Sequence, residues 1–170
     1  MAGKTRIAVV GTNIGCTLHV RALRAAGFEV TALVGRDHGR TRAKADHFGI
    51  PQALTSVDAA INSDIDAIVI ATPPETHHLF TMQALAAGKH VLCEKPLALD
   101  VGEAREMRDA ANEAGLVHQV VHPQRWAASH ASARQLVRDG ALGEPLQAAF
   151  TFDHAISEPT GRQRSALIDE

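Results

Sequence analysis

Short continuous apolar runs alternate with stretches of helical periodicity almost from end to end of this 170-residue chain. Ile7-Ala8-Val9-Val10 is apolar at every position, the pattern of a strand buried on both faces. From Ile14 to Ala26 the spacing becomes helical, with Leu18, Ala22 and Ala25 on one stripe and Gly27 as the stop. A second strand is predicted over Phe28 to Val34. A helix from about Arg40 to Phe48 follows, closed by Gly49 and barred from continuing by Pro51. A short strand and a short helix come next, with Thr55 or Ser56 as the N-cap. Asp66 to Ile70 reads as a buried strand, Glu75 to Ala87 as a helix ended by Gly88, and His90 to Cys93 as a further strand. Asp100 and Glu103 have capping-box spacing for a helix reaching Ala114 and Gly115. Val117 to Val121 is the last expected strand of this sheet. Strand–helix alternation of this kind predicts an α/β fold with a doubly wound, mostly parallel sheet.

Beyond that sheet the pattern changes. A helix is expected from about Ser129 to Val137, ending at Gly140. After Gly143-Glu144-Pro145, the alternating run Leu146 to Phe152 reads as a strand of a different sheet. The predicted organisation is a domain over residues 1–122, a linking helical segment over 123–145, and the start of a second domain over 146–170.

Composition narrows the classes. A hydrophobic content of 45% with 21% charged residues belongs to a globular chain. A net charge of −2, with no basic run, argues against nucleic acid as a partner. No apolar stretch approaches the roughly 18 residues of a membrane span, and the N-terminus lacks the long apolar region of a signal peptide. Cys16 and Cys93 form no CxxC pair, which fits reduced thiols and a cytoplasmic location. The ten histidines show no ligand spacing with an acidic partner, so no metal is expected.

The candidate chemistry lies at strand ends. Gly11 opens a turn in which Asn13 and Cys16 occupy the second and third positions of a GxGxxG fingerprint, with Gly15 one residue early. Asn tolerates left-handed backbone, so a tight turn with amides facing a pyrophosphate is compatible with it. Such a turn serves structure as readily as nucleotide binding, and alone it does not decide between them. NAD binders place an acid at the end of the second strand, about 20 residues past the turn. Here Gly35 stands at that position, followed by Arg36 and then Arg40, with Asp37 further along the loop. Guanidinium groups without an acid favour a 2′-phosphate, hence NADP(H), with NAD(H) possible. The alternative is that both arginines are solvated helix-start residues. Cys93-Glu94-Lys95-Pro96 presents a lysine just after a strand, at the edge where open α/β sheets bind ligands.

Taken together, Val9-Val10-Gly11-Thr12-Asn13-Ile14-Gly15 with His19, Ala71-Thr72-Pro73-Pro74-Glu75-Thr76-His77, and Ala87 through Glu94-Lys95-Pro96-Leu97 resemble the N-terminal Rossmann domain of the glucose–fructose oxidoreductase, inositol dehydrogenase and MocA (Gfo/Idh/MocA) family. The resemblance covers roughly residues 5 to 150. It implies a Rossmann domain joined to a C-terminal α+β domain bearing substrate residues, and hydride transfer between NAD(P)(H) and a sugar, polyol or related compound. It also implies a homo-oligomer for a full-length protein. On this resemblance Gly11, Thr12, Asn13 and Ile14 line the pyrophosphate, and Gly35, Arg36 and Arg40 face the adenosine ribose. Ala71, Thr72 and Pro73 lie against the cofactor, and His77 braces that loop. Glu94 and Lys95 approach the nicotinamide side, and Lys95 is the catalytic candidate, its ammonium stabilising a developing alkoxide. Pro96 is often preceded by a cis bond in such proteins. Arg125 and Trp126 correspond to a segment near the nicotinamide, or else form a helix start with Trp packed on the sheet.

The departures from the family's pattern are equally specific. No Asp is followed four residues later by His, so the D-x-x-x-H acid/base stretch of the second domain is absent. The expectation is therefore a chain that binds dinucleotide but turns over substrate poorly by itself. The competing reading is a truncated, non-catalytic dinucleotide-binding module. Nucleoside-methyl transfer on a similar sheet would require an acid at the second strand's end and leaves Glu94-Lys95-Pro96 without a use.

Overall fold

The computed structural model describes residues 3–147 and 149. Strand β1 (Arg6–Val10) is followed by a π-helical turn, Gly15–His19, that continues as α1 (Val20–Ala25). Then come β2 (Glu29–Val34), α2 (His38–His47), β3 (Gln52–Leu54), α3 (Val57–Ile61) and β4 (Ala67–Ile70). A 3-10 turn, Pro74–Thr76, leads into α4 (His77–Ala86), followed by β5 (His90–Cys93), α5 (Val101–Glu113) and β6 (His118–Val120). A second 3-10 turn, Pro123–Trp126, precedes α6 (Ala128–Arg138). Two compact units meet at a boundary after Trp126, and α6 belongs to the second.

The first unit is a doubly wound α/β domain. Its six strands are all parallel, in the order β3-β2-β1-β4-β5-β6. The order reverses between β1 and β4, which creates a crevice beyond their carboxyl ends. Side chains alternate across the sheet, so β1 feeds two separate cores. Ile7 and Val9 join Cys16, Val20, Leu23, Leu33 and Ile50 on one face. Ala8 and Val10 join Val57, Ala60, Ile68, Ala84, Leu85 and Ala111 on the other. Strands buried on both faces need apolar residues at every position, which is why the runs are continuous.

The elements predicted between Ile7 and Val137 are present, with physically informative shifts. The first helix does not bury Leu18, Ala22 and Ala25, and Leu18 is 51% exposed. Its buried face is instead Cys16, His19, Val20 and Leu23, which has the same helical spacing in a different phase. Helix α2 begins at His38 rather than Arg40, because Asp37 caps it by accepting the Arg40 N–H at 2.8 Å. That bond holds the Asp37 carboxyl below the usual carboxylate range. Ser56 is the cap of α3. In α5, Asp100 caps the Glu103 amide as the spacing predicts, but the Glu103 carboxylate accepts from Leu99 N–H rather than closing the box on Asp100. Leu146 and Gln147 carry no strand, and the rest of the expected 146–152 strand lies outside the described residues apart from Ala149.

Two stability expectations follow from this packing. Gly11 has φ of 113°, and an added Cβ would overlap the Ala71 carbonyl. Gly11→Ala is expected to destabilise the domain by on the order of 3 kcal/mol, through strain and backbone overlap, measured by urea unfolding. Both thiols are buried, and burial pushes Cys93 up to about 12 and raises Cys16 against an opposing pull from Lys44. Because the thiolate is the reactive form, neither should be alkylated by iodoacetamide at pH 8 in the folded protein, and both should react once urea unfolds it.

Candidate functional site

The carboxyl ends of β1, β2, β4 and β5 open onto one crevice, and the loops leaving them are tied together by bonds between segments distant in sequence. At β1 the chain leaves through Gly11, whose N–H donates to Val34 O at 2.9 Å. The missing side chain lets the turn press against Ala71, just past β4. Asn13 does not use the left-handed region, for no residue other than glycine among those described has a positive φ. Its contribution is a carbonyl that accepts from Cys16 N, Thr17 N and Thr17 Oγ1, each at 3.1 Å. Gly15 is buried against Val9. Asp37, Ser56 and Asp100 cap their helices, but no side chain caps the helix that starts at Ile14 and Gly15.

The turn is closed on its other flank by β2 and α2. A Cβ at Gly35 would overlap both Thr12 Cγ2 and Thr41 Oγ1, and Thr41 Oγ1 is itself committed to Asp37 O at 2.6 Å. The half-buried Lys44 reaches back from α2 to donate to Thr12 O. Arg36 and Arg40 are exposed on the same side, and Arg40 Nε lies 3.5 Å from Asp37 Oδ1.

A second group of bonds joins the ends of β4 and β5. His77, at the start of α4, is completely buried. Its Nδ1 lies 2.7 Å from Pro96 O and its Nε2 2.9 Å from Thr72 O. Each carbonyl is an acceptor for a ring N–H, of which a neutral imidazole carries one and an imidazolium two. The ring therefore spans the 71–73 segment and the segment after β5. Thr76 Oγ1 adds a bond to Pro73 O and lies 2.6 Å from Thr72 Oγ1. The Lys95–Pro96 bond is cis.

Glu94 is the best-held of the candidate residues. Its N–H donates to Ile70 O at 2.9 Å, and its Oε2 accepts from Lys95 N–H at 3.1 Å. Its Oε1 lies 2.8 Å from Nε2 of His19, and the two side chains are 13% and 6% exposed. Lys95 is exposed, and among the described residues its ammonium makes no hydrogen bond or ion pair, so it is available to a ligand in the crevice.

The structure thus gathers Gly11, Thr12, Asn13, Ile14, Gly35, Ala71, Thr72, Pro73, His77, Glu94 and Lys95 along one edge. Arg125 and Trp126 lie in the 3-10 turn after β6, with no side-chain bond to the others. Trp126 is 67% exposed, so it does not pack on the sheet as one of the two sequence readings required. Two residues of this edge were missing from the candidates. His19 carried a signal, as a polar residue within a helix whose neighbours are buried. Lys44 carried none, being 32 residues from the carbonyl it meets.

Comparison with known proteins identifies the lineage. The family model for oxidoreductases with an NAD-binding Rossmann fold, GFO_IDH_MocA, matches residues 5–122. The 1,5-anhydro-D-fructose reductase of Ensifer adhaerens is 42% identical over 141 residues, covering 82% of this chain and 42% of that protein. Among solved structures, scyllo-inositol dehydrogenase from Lactobacillus casei with bound NAD(H) and scyllo-inositol aligns with a TM-score of 0.77 at 25% identity, over 84% of this chain and 43% of its own. A variant of a 3-ketoreductase from Actinomadura kijaniata in complex with TDP-benzene and NADP aligns with a TM-score of 0.71 at 31% identity, over 84% and 44%. The chain spans less than half the length of each of these proteins. With its sheet order, its strand-end glycine turn and its Glu94-Lys95-Pro96 segment, the chain belongs to the Gfo/Idh/MocA oxidoreductase family.

Proposed function

We propose that this chain is the dinucleotide-binding half of an NAD(P)-dependent oxidoreductase that acts on a sugar, polyol or related carbonyl or hydroxyl compound. The carrying observation is the unpartnered Lys95, set beside a clamped Glu94 at the edge where the sheet order reverses. The crevice fits a dinucleotide. An uncapped helix start behind Gly11 suits a pyrophosphate, and the two halves of the sheet suit its two nucleosides. Gly11, Thr12, Asn13 and Ile14 hold the diphosphate in this reading. Gly35, Arg36 and Arg40 take the adenosine ribose, and Ala71, Thr72, Pro73 and Glu94 the nicotinamide side, with Arg125 and Trp126 flanking it. When bound, the nicotinamide supplies or accepts the hydride. Lys95 then donates a hydrogen bond to the substrate oxygen and stabilises the charge that develops on it. The 1–122, 123–145 and 146–170 division, with substrate residues supplied by a second domain, is part of the same proposal, as are a homo-oligomeric full-length protein and a cytoplasmic location.

NADP(H) is the favoured cofactor. Relatives are known with NAD(H) and with NADP, and this chain's own residues favour the second. The end of β2 has no room for the acid that accepts a ribose 2′-hydroxyl, because Thr12 and Thr41 fill the space beside Gly35. The nearby carboxylate, Asp37, is engaged in capping α2. Arg36 remains to meet a phosphate, with Arg40 beside it in an ion pair with Asp37.

Two measurements test this reading. By calorimetry or fluorescence, NADPH should bind about tenfold or more tightly than NADH, the worth of one charged hydrogen bond, and Arg36→Glu should abolish the difference. Equal affinities unchanged by that substitution would return Arg36 to an ordinary solvated role. Gly35→Asp should weaken both cofactors rather than convert the preference, since the new side chain displaces Thr12 and Thr41. In active full-length protein, Lys95→Ala should lower kcat by about 10²- to 10³-fold with little change in cofactor affinity. An active enzyme indifferent to that change removes Lys95 from the chemistry.

A further inference from the structure

The bond between His19 and Glu94 crosses the mouth of the crevice. His19 sits on the π-helical turn that begins behind the glycine turn of β1, whereas Glu94 follows β5. Strand β4 lies between those two strands, with Val10 beside Ile70 and Ile70 beside Cys93. The side chains therefore reach over the end of β4 to meet at 2.8 Å, 75 residues apart in sequence. Both are largely buried, and a buried carboxylate facing an imidazole N–H is a charge-assisted bond. The other Glu94 oxygen takes the Lys95 N–H, so the carboxylate is held at both ends and fixes the backbone from which the Lys95 side chain departs. A π turn in place of α-helix is uncommon and recurs at functional sites. Here His19 lies within it and is buried. An apolar residue at that position would satisfy the core equally well, so packing alone does not account for a histidine there.

We propose that His19 is a positioning residue for the nicotinamide half of the site, acting through Glu94 on the Lys95 segment. The inference rests on the dinucleotide reading above. In a sheet of this order the β1–β3 half holds the adenosine and the β4–β6 half the other nucleoside. The latch therefore couples the diphosphate turn to the nicotinamide side and leaves the adenosine side alone. This separates it from a merely stabilising pair, whose loss would affect both halves alike.

The test uses His19→Phe, which keeps the ring and removes the donor, and His19→Gln, which restores an N–H donor. For each, affinities are measured for NADPH and for its adenosine half alone, adenosine 2′,5′-bisphosphate, and for NADH and AMP in parallel. His19→Phe should weaken the intact dinucleotides about tenfold while the adenosine halves bind within about twofold of the parent. His19→Gln should recover most of the loss. If His19→Phe weakens dinucleotide and adenosine half equally, or neither, the positioning role is overturned while the dinucleotide reading stands. If the parent protein binds neither dinucleotide, both fall together.

Discussion

The close approach of the turn after β1 to the chain leaving β4 is the constraint on which the rest of this site depends. Neighbouring parallel strands diverge once their ladder ends, unless something holds the exits together. Here Gly11 lies so near the Ala71 carbonyl that no side chain fits, and its N–H is bonded to Val34 on the opposite side. The turn is thereby pinned to β2 and β4 at once, at the place where the strand order reverses. The helix start, the 71–73 segment and the end of β2 take their positions from that contact.

Two buried histidines extend the constraint to β5. A buried polar group without a partner costs roughly 1–3 kcal/mol, so each ring is tolerated only because its acceptors are supplied by other loops. His77 spans Thr72 and Pro96 through both nitrogens, and His19 meets Glu94. The effect is to remove freedom from backbone that would otherwise be surface loop, beside a Lys95 ammonium that makes no hydrogen bond or ion pair among the described residues. Pre-organisation of this kind lowers the ordering cost of binding.

Volume, more than charge, limits the end of β2. The space that would take an acidic side chain at Gly35 is filled by Thr12 from the glycine turn and Thr41 from α2. The carboxylate closest in sequence is occupied as a helix cap. Arg36 and Arg40 are exposed nearby, Arg40 in an ion pair with Asp37. The proposed preference for NADP(H) depends on three segments packing together, so it is sensitive to changes at Thr12 and Thr41 as well as at the arginines.

Much of this was legible in the chain itself. Continuous apolar runs separated by helical periods dictate a parallel sheet covered on both faces. Gly27, Gly49, Gly88 and Gly115 mark helix ends within a residue or two, because local backbone chemistry decides where a helix stops. The motif residues at Gly11, Ala71 and Glu94-Lys95 were likewise readable, since each is local to a strand end. Three things were not. The first helix buries Cys16, His19, Val20 and Leu23 rather than the stripe through Leu18, because both stripes have helical spacing and only packing against the sheet selects the phase. Asn13 keeps an ordinary backbone and acts through its carbonyl, a role its side chain does not announce. The partners of His19 and Lys44 lie 75 and 32 residues away, on other strands and loops. Local propensity sets the strands, helices and turns, whereas which polar side chains meet across their ends depends on register and packing, and only the tertiary structure decides that.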